Sequence, residues 1–347
     1  MKKFLSIALA LLMVCVMLPV VALAAEKTAS TYEELKSAIS TANDGDTIKL
    51  LADIDLSQTI TVNKTITLNM NGKKLYNTND LWDKPTAEDD NWSLISVRGS
   101  GNLTITGNGT FAAKENDCYA VDVQESATVT IKNGTFIGNI HAVYVFAGTA
   151  NVEGGTYSVQ QKYPDPAKGD EFVLNCYDAN RANGTAHINV TGGTFKNFNP
   201  ADNKAEGEGN NFADNSLVVQ KNNTVQNNDY YVGNAANEVI AAASKGEEIF
   251  VLNGTTLTNV PAGVIIQNRT GDRITVNGKD VELTGDAGYT VPASNITIIV
   301  PGDTTPTETP KTEEQKNPST GANDFVGLAA AAAVVALLGS AVVLRKK

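Results

Sequence analysis

The sequence is short of residues on which several common classes of protein depend. Its 347 residues include three cysteines, two histidines and two tryptophans, and no Cys-x-x-Cys pair is present. A zinc site built from Cys and His ligands is therefore unsupported, and neither a metal nor another cofactor is expected. Acidic residues outnumber basic ones by 38 to 27, and this net charge of −11 disfavours binding to nucleic acid.

Residues that could form a catalytic centre are also scarce. His141 and His187 are the only histidines, and His187 is expected to point outward from a strand, beside Ile188. Arg98 and Arg181 are the only arginines within the repetitive part of the chain, and neither has a cluster of Asp residues at equivalent positions. No nucleophile–base pair or phosphate-binding loop is visible, so no catalytic residues are predicted.

One short phrase recurs through the middle of the chain. Two apolar residues alternate with polar ones, a glycine-containing corner follows, and threonine then precedes an aromatic residue. The phrase occurs at 129–136, 150–157 and 188–195, and with one more corner residue at 103–111. Alternation with a period of two marks a strand with one buried face, and glycine suits the tight corner. Phe136, Tyr157 and Phe195 are therefore predicted to belong to inward-facing aromatic ladders.

The repetition predicts the fold. A strand–corner–strand phrase at intervals of roughly 20–40 residues is typical of a solenoid. Because no helices separate the strands, the predicted fold is all-β, a right-handed parallel β-helix whose coils stack about 4.8 Å apart. The alternative, an antiparallel sandwich, would show hairpin turns and more variable phrases. One complete coil separates Cys118 from Cys176, about 10 Å and beyond disulfide reach, so free thiols are expected.

A helical pattern precedes the first coil. Ser30–Ala42 predicts a short amphipathic helix, opened by a capping box of Thr31 and Glu34. Such a helix covers the open end of the core and a bare strand edge. Asn43–Asp46 is interpreted as the turn that ends it, since the spacing of a calcium loop is missing.

A second helix–strand unit follows the repeats. The strands Ser216–Gln220 and Tyr230–Val232 are expected to close the solenoid, followed by the helix Asn237–Ser244 and the strand Ile249–Leu252. The segment GEEIFVL at 246–252 resembles GDTIKLL at 45–51, and ITVNGKDVEL at 274–283 resembles ITLNMNGKKL at 66–75. This unit is predicted either to cap the far end of the solenoid or to form a small separate module.

Three stretches, 77–92, 160–170 and 197–215, interrupt the repeats; they are either a working face or spacer loops. The first holds both tryptophans among five acidic residues. Exposed Trp beside carboxylates is typical of a sugar-stacking or a cation-bridged site. The predicted ligand-binding residues are Trp82, Asp83, Asp89, Asp90 and Trp92. In the alternative interpretation Trp82 pins the loop and Trp92 opens the strand Trp92–Val97 with its side chain inward.

Both ends of the chain have the features of targeting signals. Residues 1–25 combine two lysines, an apolar run and a small-residue site before Glu26, which predicts a secretory signal peptide rather than a membrane anchor. Phe325–Leu344 is an apolar run long enough, at about 30 Å, to span a bilayer, and Arg345-Lys346-Lys347 would stay cytoplasmic.

The pentapeptide Asn317, Pro318, Ser319, Thr320, Gly321 stands just before this apolar run. Pentapeptide, apolar run and basic tail together resemble the cell-wall sorting signal of Gram-positive surface proteins, of the Leu-Pro-x-Thr-Gly type. The resemblance implies that a sortase cleaves between Thr320 and Gly321 and joins Thr320 to peptidoglycan, so that membrane contact precedes sorting only. Asn317 stands where Leu is usual, which leaves the sortase class open. The alternative is a plain single-pass membrane anchor.

The expected organisation follows from these segments. It comprises a signal peptide (1–25), an N-terminal capping helix (26–46), a parallel β-helix (47–232), a C-terminal helix–strand cap or module (233–299), a spacer rich in Pro, Thr and Glu (300–316), and a sorting signal (317–347) with a transmembrane helix at 325–344. The spacer, at roughly 50 Å when extended, would lift the β-helix off the wall.

The region between the two signals resembles Gram-positive surface proteins with pectate-lyase-like β-helix repeats, through the phrases ITLNMNGKKL, VTIKNGTF and INVTGGTF. The hydrolases among β-helix enzymes carry paired Asp motifs and a Gly-His-Gly, whereas here Asp89-Asp90 sits in a loop and Gly-His-Gly is absent. The resemblance implies the fold and not an activity. The expected function is therefore a non-catalytic adhesion module that binds a glycan or host surface protein. A structural surface component and a polysaccharide lyase or hydrolase are the alternatives.

Overall fold

The computed structural model describes residues 24–81, 93–161, 172–200, 217–221, 229–233, 236–252, 256–282 and 288–293. The helices are α1 Tyr32–Ser40, α2 Asp178–Ala182 and α3 Ala236–Ala242. The strands are β1 Glu26–Ala29, β2 Thr47–Leu50, β3 Ile54–Asp55, β4 Ile60–Val62, β5 Thr65–Asn69, β6 Lys74–Tyr76, β7 Ser93–Val97, β8 Asn102–Thr106, β9 Thr110–Ala112, β10 Tyr119–Val123, β11 Thr128–Ile131, β12 Thr135–Gly138, β13 Val143–Val145, β14 Gly148–Val152, β15 Thr156–Val159, β16 Leu174–Cys176, β17 Ala186–Val190, β18 Gly192–Lys196, β19 Leu217–Lys221, β20 Asp229–Gly233, β21 Glu248–Val251, β22 Thr256–Leu257, β23 Ile265–Asn268, β24 Ile274–Val276, β25 Lys279–Val281 and β26 Tyr289–Thr290.

Three parallel sheets form the walls of the solenoid and confirm the predicted β-helix. The first sheet has the order β1-β2-β5-β8-β11-β14-β17, and the second has the order β4-β7-β10-β13-β16. The third begins β3-β6-β9-β12-β15-β18 and continues into the C-terminal part of the chain. Each of the five complete coils between β2 and β16 therefore gives one strand to each wall. Alternating apolar residues from all three walls point inward and form one continuous core.

The aromatic ladder lies on the inner face of the third sheet, as predicted. Phe136 is in register with Phe111 on one side and with Tyr157 on the other, and Tyr157 with Phe195. Successive ring centroids are 4.8, 5.1 and 5.0 Å apart, and the rings are nearly parallel. All four rings are fully buried. The spacing is that of the strands themselves, so the backbone register sets the stacking.

Helix α1 covers the first coil, as predicted. The Thr31 hydroxyl accepts from the backbone N–H of Glu34, and the Glu34 carboxylate accepts from the N–H of Ser30, one residue before the helix cap. Leu35, Ala38 and Ile39 are buried against the core. The capping box is therefore present, with its return hydrogen bond moved out by one residue.

The turn after α1 is built around Asp46, which is almost completely buried. Its carboxylate accepts from the backbone N–H groups of Ala25 and Asn43, and these hydrogen bonds hold the pKa of the Asp46 carboxyl below its usual range. The turn before β21 repeats the second of these hydrogen bonds, because the N–H of Ser244 donates to the Glu247 carboxylate three residues later. The resemblance between 45–51 and 246–252 is therefore structural as well as sequential.

The predicted likeness of the segment 274–283 to the segment 66–75 is wrong for the structure. β2 pairs in parallel with β5, and its counterpart β21 pairs in parallel with β23, not with the segment 274–283. That segment forms an antiparallel hairpin of β24 and β25, with Asn277 and Gly278 at positive φ in the turn. The Asn-Gly pair drives a two-residue hairpin, whereas Asn71-Gly72 turns a corner between two walls.

The C-terminal unit has its own core and shares a sheet with the solenoid. β18 pairs antiparallel with β20, β20 with β19, and β19 with β21, so the third sheet runs on through all of them. A separate group of buried side chains, from Val239 to Val291, packs beneath α3 and these strands. The two expected closing strands are therefore present as β19 and β20, and the unit continues the third sheet while burying a core of its own.

Cys118 and Cys176 are buried and are not joined in a disulfide, as predicted. Burial raises the pKa of the Cys118 thiol far above its usual value. Cys176 pairs in register with Val145, whereas Cys118 precedes β10 at a different position of its coil. Stacking therefore does not bring the two sulfur atoms together.

Several predictions concern residues outside the described ranges and stay predictions. They are the signal peptide 1–25 apart from its last two residues, the spacer 300–316, the sorting motif 317–321 and the transmembrane helix 325–344. The longest helix in the described ranges has nine residues, and no helix there combines the length and apolar character that a membrane crossing requires.

Candidate functional site

The outer face of the second sheet brings together polar and aromatic side chains from five successive coils. Side chains point alternately to the two faces along each of its strands. Val62, Val97, Val123 and Val145 point into the core, and the residues next to them in sequence point out. One row of outward residues, in register across the sheet, consists of Thr61, Ser96, Asp122, Tyr144 and Asn175.

A second row lies beside the first. Backbone hydrogen bonds of 2.9 Å extend the strand pairing by one residue, for example from the Phe146 N–H to the Val123 carbonyl and from the Tyr177 N–H to the Val145 carbonyl. The second row consists of Asn63, Arg98, Gln124, Phe146 and Tyr177. The two rows together are called the outer ladder below.

The polar half of the outer ladder is tightly hydrogen-bonded. Arg98 Nε donates to Ser96 Oγ at 2.9 Å, and Ser96 Oγ donates to an Asp122 carboxylate oxygen at 3.0 Å. Gln124 Nε2 donates to both oxygens of the same carboxylate, at 2.8 and 3.0 Å. Asp122 and Ser96 are fully buried. The Asp122 carboxylate accepts from a residue of the adjacent strand and from a residue two positions further along the chain. These hydrogen bonds fix it in position as the floor of the site.

The aromatic half of the outer ladder is exposed. The rings of Phe146 and Tyr177 stack with their centroids 4.8 Å apart, yet they are 40% and 44% exposed. Tyr177 is the residue before α2, and in that helix Asn180 Nδ2 donates to the Phe146 carbonyl at 2.6 Å. Two adjacent coils thus hold a stacked pair of apolar rings, called the platform below, that stays partly exposed to solvent, where burial would be the favourable state for such rings.

His141 lies next to this face without acting as a titrating group near neutral pH. Its Nδ1 is 2.7 Å from the Phe172 carbonyl oxygen, and its ring stacks on Tyr144 with centroids 5.3 Å apart. Burial lowers the pKa of His141 to about 4, so the ring is neutral at physiological pH. His187 is exposed on β17, as predicted, with Nε2 2.9 Å from the Gly184 carbonyl oxygen.

A cavity of about 340 Å³ adjoins the other end of the outer ladder, between α1 and the second sheet. Helix α1 contributes Tyr32 and Lys36, and the sheet contributes Ser96 and Arg98. The cavity therefore shares Ser96 and Arg98 with the polar half of the outer ladder. Within the described part of the chain, no group of three or more His, Cys, Asp or Glu side chains is placed to hold a metal ion.

The predicted binding residues Trp82, Asp83, Asp89, Asp90 and Trp92 all lie outside the described residues. The points where their segment joins the solenoid are described. The Leu81 N–H donates to the buried Asp117 carboxylate at 3.0 Å, and Ser93 opens β7. The segment therefore begins after a strand of the third sheet and ends before a strand of the second.

The other two interruptions begin at the same corner. The stretch 160–170 follows β15 and precedes β16, and the stretch 197–215 follows β18. Each of the three thus departs from the end of a third-sheet strand, the corner that leads to the second sheet in the regular coils. All three therefore begin at the edge of the third sheet from which the regular coils pass to the second sheet.

The outer ladder was not predicted from the sequence. Arg98 was considered only as a catalytic residue beside a cluster of Asp residues, and not as one member of a row of outward side chains. The available signal was the pair of outward positions repeated once per coil, Ser96-x-Arg98, Asp122-x-Gln124, Tyr144-x-Phe146 and Asn175-x-Tyr177. These pairs share no residue type, so only the strand register shows that they are neighbours.

Compared with protein-family models, curated proteins and solved structures, the chain matches none of them.

Proposed function

We propose that this protein is a cell-wall-anchored surface protein whose β-helix binds a glycan on the outer ladder. The observation that carries the proposal is the exposed stacked pair Phe146 and Tyr177. A sugar ring presents an apolar face that packs on an aromatic plane, and its hydroxyl groups need hydrogen-bonding partners at the edge. Gln124, Tyr144 and Asn175 stand beside the platform and supply amide and hydroxyl groups.

The geometry suits a repeating ligand. Neighbouring coils place equivalent outward side chains about 4.8 Å apart along the solenoid, on a rigid sheet. A chain of sugar units that lies along the outer ladder meets aromatic contacts at Phe146 and Tyr177 and polar contacts toward Arg98. Binding on strands rather than on loops costs little ordering entropy, because the register fixes the side chains beforehand.

The proposed role is non-catalytic. The Asp122 carboxylate accepts hydrogen bonds from Ser96 and Gln124 and is fully buried, which suits a structural floor. The hydrogen-bonded link from Arg98 through Ser96 to Asp122 favours one second candidate, a polysaccharide lyase or hydrolase that acts at the same face. Release of reducing sugar, or new absorbance from unsaturated products, would support this second candidate.

The first prediction concerns the platform itself. Phe146→Ala and Tyr177→Ala are each expected to weaken binding of the glycan selected on a glycan array by about tenfold, because each removes one stacking surface. Tyr76→Ala, on the outer face of the third sheet, is the matched control and should leave binding unchanged. If the wild-type chain binds no glycan or mucin, a structural surface component becomes the better interpretation.

The second prediction concerns display on the cell. We propose secretion by the signal peptide and sortase-catalysed attachment of Thr320 to peptidoglycan. Mass spectrometry of muramidase-released protein should find a C-terminal peptide ending at Thr320 and linked to a wall fragment. Recovery of Arg345–Lys347 from mature surface protein would refute covalent attachment at Thr320.

A further inference from the structure

The cavity between α1 and the second sheet has a roof and a floor from distant parts of the chain. Tyr32, Lys36 and Ser40 lie on one face of α1, at spacings of four residues, and form the roof. The floor consists of the segment 58–63 around β4 together with Ser96 and Arg98 of the next coil. The cavity is therefore a product of the docking of α1 on the solenoid.

Hydrogen bonds at both ends of α1 hold the cavity open. Near the start of the helix, the Tyr32 hydroxyl donates to Gln58 Oε1 at 3.4 Å. Near its end, Lys64 Nζ donates to the carbonyls of Ser40 and Ala42 at 2.7 and 2.6 Å. The Thr59 hydroxyl donates to the Ser93 carbonyl at 2.7 Å and ties the floor to the next coil. The walls are therefore fixed before any ligand arrives.

The charge of the cavity is opposite to that of the protein. The net charge of the chain is −11, yet the described residues that line the cavity include Lys36 and Arg98 and no Asp or Glu. Lys36 Nζ stands 5.8 Å from the centroid of the Tyr32 ring, over its face. The hydrogen bond from Arg98 Nε to Ser96 Oγ fixes the Arg98 side chain at the floor of the cavity. The described lining therefore carries two cationic side chains and no acidic one, which favours an anion.

From these observations we propose that the cavity binds one acidic sugar unit of a glycan, through its carboxylate or sulfate group. A volume of about 340 Å³ is at the lower end of the range for ligand pockets, so it suits one sugar unit and not a chain. Lys36 and Arg98 bind the anionic group, while Gln58, Thr59 and Asn63 bind hydroxyl groups. This inference rests on the proposed function, since it specifies the ligand class of the same face.

The test uses the full-length chain and matched pairs of oligosaccharides. One pair is a sialylated oligosaccharide and its desialylated form, and the other is a sulfated oligosaccharide and its desulfated form. In each pair that binds, the acidic member is expected to bind at least tenfold more tightly, with an affinity that falls as salt rises. The two pairs separate a carboxylate ligand from a sulfate ligand.

Lys36→Gln is the decisive variant, because Lys36 is exposed on α1 and its loss leaves the core intact. It is expected to remove about tenfold of the affinity for the acidic member and none for the neutral one. Lys74→Gln is the matched control, since Lys74 also stands over a tyrosine ring, Tyr76, at 4.6 Å, but on another wall.

The outcomes separate this inference from the proposed function. If neutral and acidic members bind equally, or Lys36→Gln changes nothing, the acidic-sugar site is refuted while glycan binding on the outer ladder stands. If the chain binds neither these oligosaccharides nor any glycan on the array, both are refuted. Preference for the acidic member, lost in Lys36→Gln and kept in Lys74→Gln, supports the site.

Discussion

Phe136→Ala is expected to lower the free energy of unfolding by about 3–5 kcal/mol. Phe136 is fully buried in the middle of the ladder, with a ring stacked on each side at 4.8 and 5.1 Å. The neighbouring rings cannot close the resulting gap, because each is held by its own strand in a fixed register. The loss therefore combines the transfer free energy of the ring with the cost of a cavity. Denaturant-induced unfolding of the full chain measures it.

The matched control is Phe146→Ala, which removes the same side chain from the outer face of the solenoid. Phe146 is 40% exposed, so this change is expected to cost less than about 1 kcal/mol. Equal losses of stability for Phe136→Ala and Phe146→Ala would contradict the assignment of one ring to the core and the other to the surface.

Gly138→Ala is expected to destabilise the chain by about 3 kcal/mol or more. A Cβ atom at this position would stand 1.6 Å from the carbonyl oxygen and 2.3 Å from the carbonyl carbon of His141. Because the obstacle is backbone, no side-chain rotation relieves the clash, and the corner between β12 and β13 has to move. The movement would disturb the start of β13 and the packing of His141 on Tyr144.

Thermal unfolding followed by circular dichroism checks this prediction, with Gly184→Ala as the control. Gly184 also lies in a corner, at φ +70, but nothing stands within 4 Å of its added Cβ. Its substitution costs only the backbone strain of a left-handed residue, about 1–2 kcal/mol. A Gly138→Ala chain as stable as Gly184→Ala would mean that the corner 139–142 is much more adaptable than its close contacts indicate.

The core of the β-helix was readable from the sequence because its rule is local. Burial of one face imposes a period of two on each strand, and the glycine corner fixes where the next wall begins. Phe136, Tyr157 and Phe195 occur at the same distance from their strands, so direct stacking of coils was enough to predict their ladder. The N-terminal helix was equally local, since Thr31, Glu34 and the apolar stripe define it.

The hairpin at 274–281 shows where likeness of sequence misleads. ITVNGKDVEL and ITLNMNGKKL share an Asn-Gly turn, but the local turn geometry allows either a hairpin or a corner between walls. The choice depends on which strand is available as a partner: β24 meets β25 and β22, whereas β5 meets β2 and β8.

The outer ladder was decided by the tertiary structure alone. Asn63, Arg98, Gln124, Phe146 and Tyr177 come from five coils of unequal length, and outward positions obey no hydrophobic pattern that would align them. Burial of the inward residues fixes the register of each strand, and that register then sets which outward side chains become neighbours. The sequence by itself determined the inner face, because burial selects apolar residues there. Only the stacking of the coils determined the outer face, because its neighbours are separated in sequence by whole turns of the solenoid.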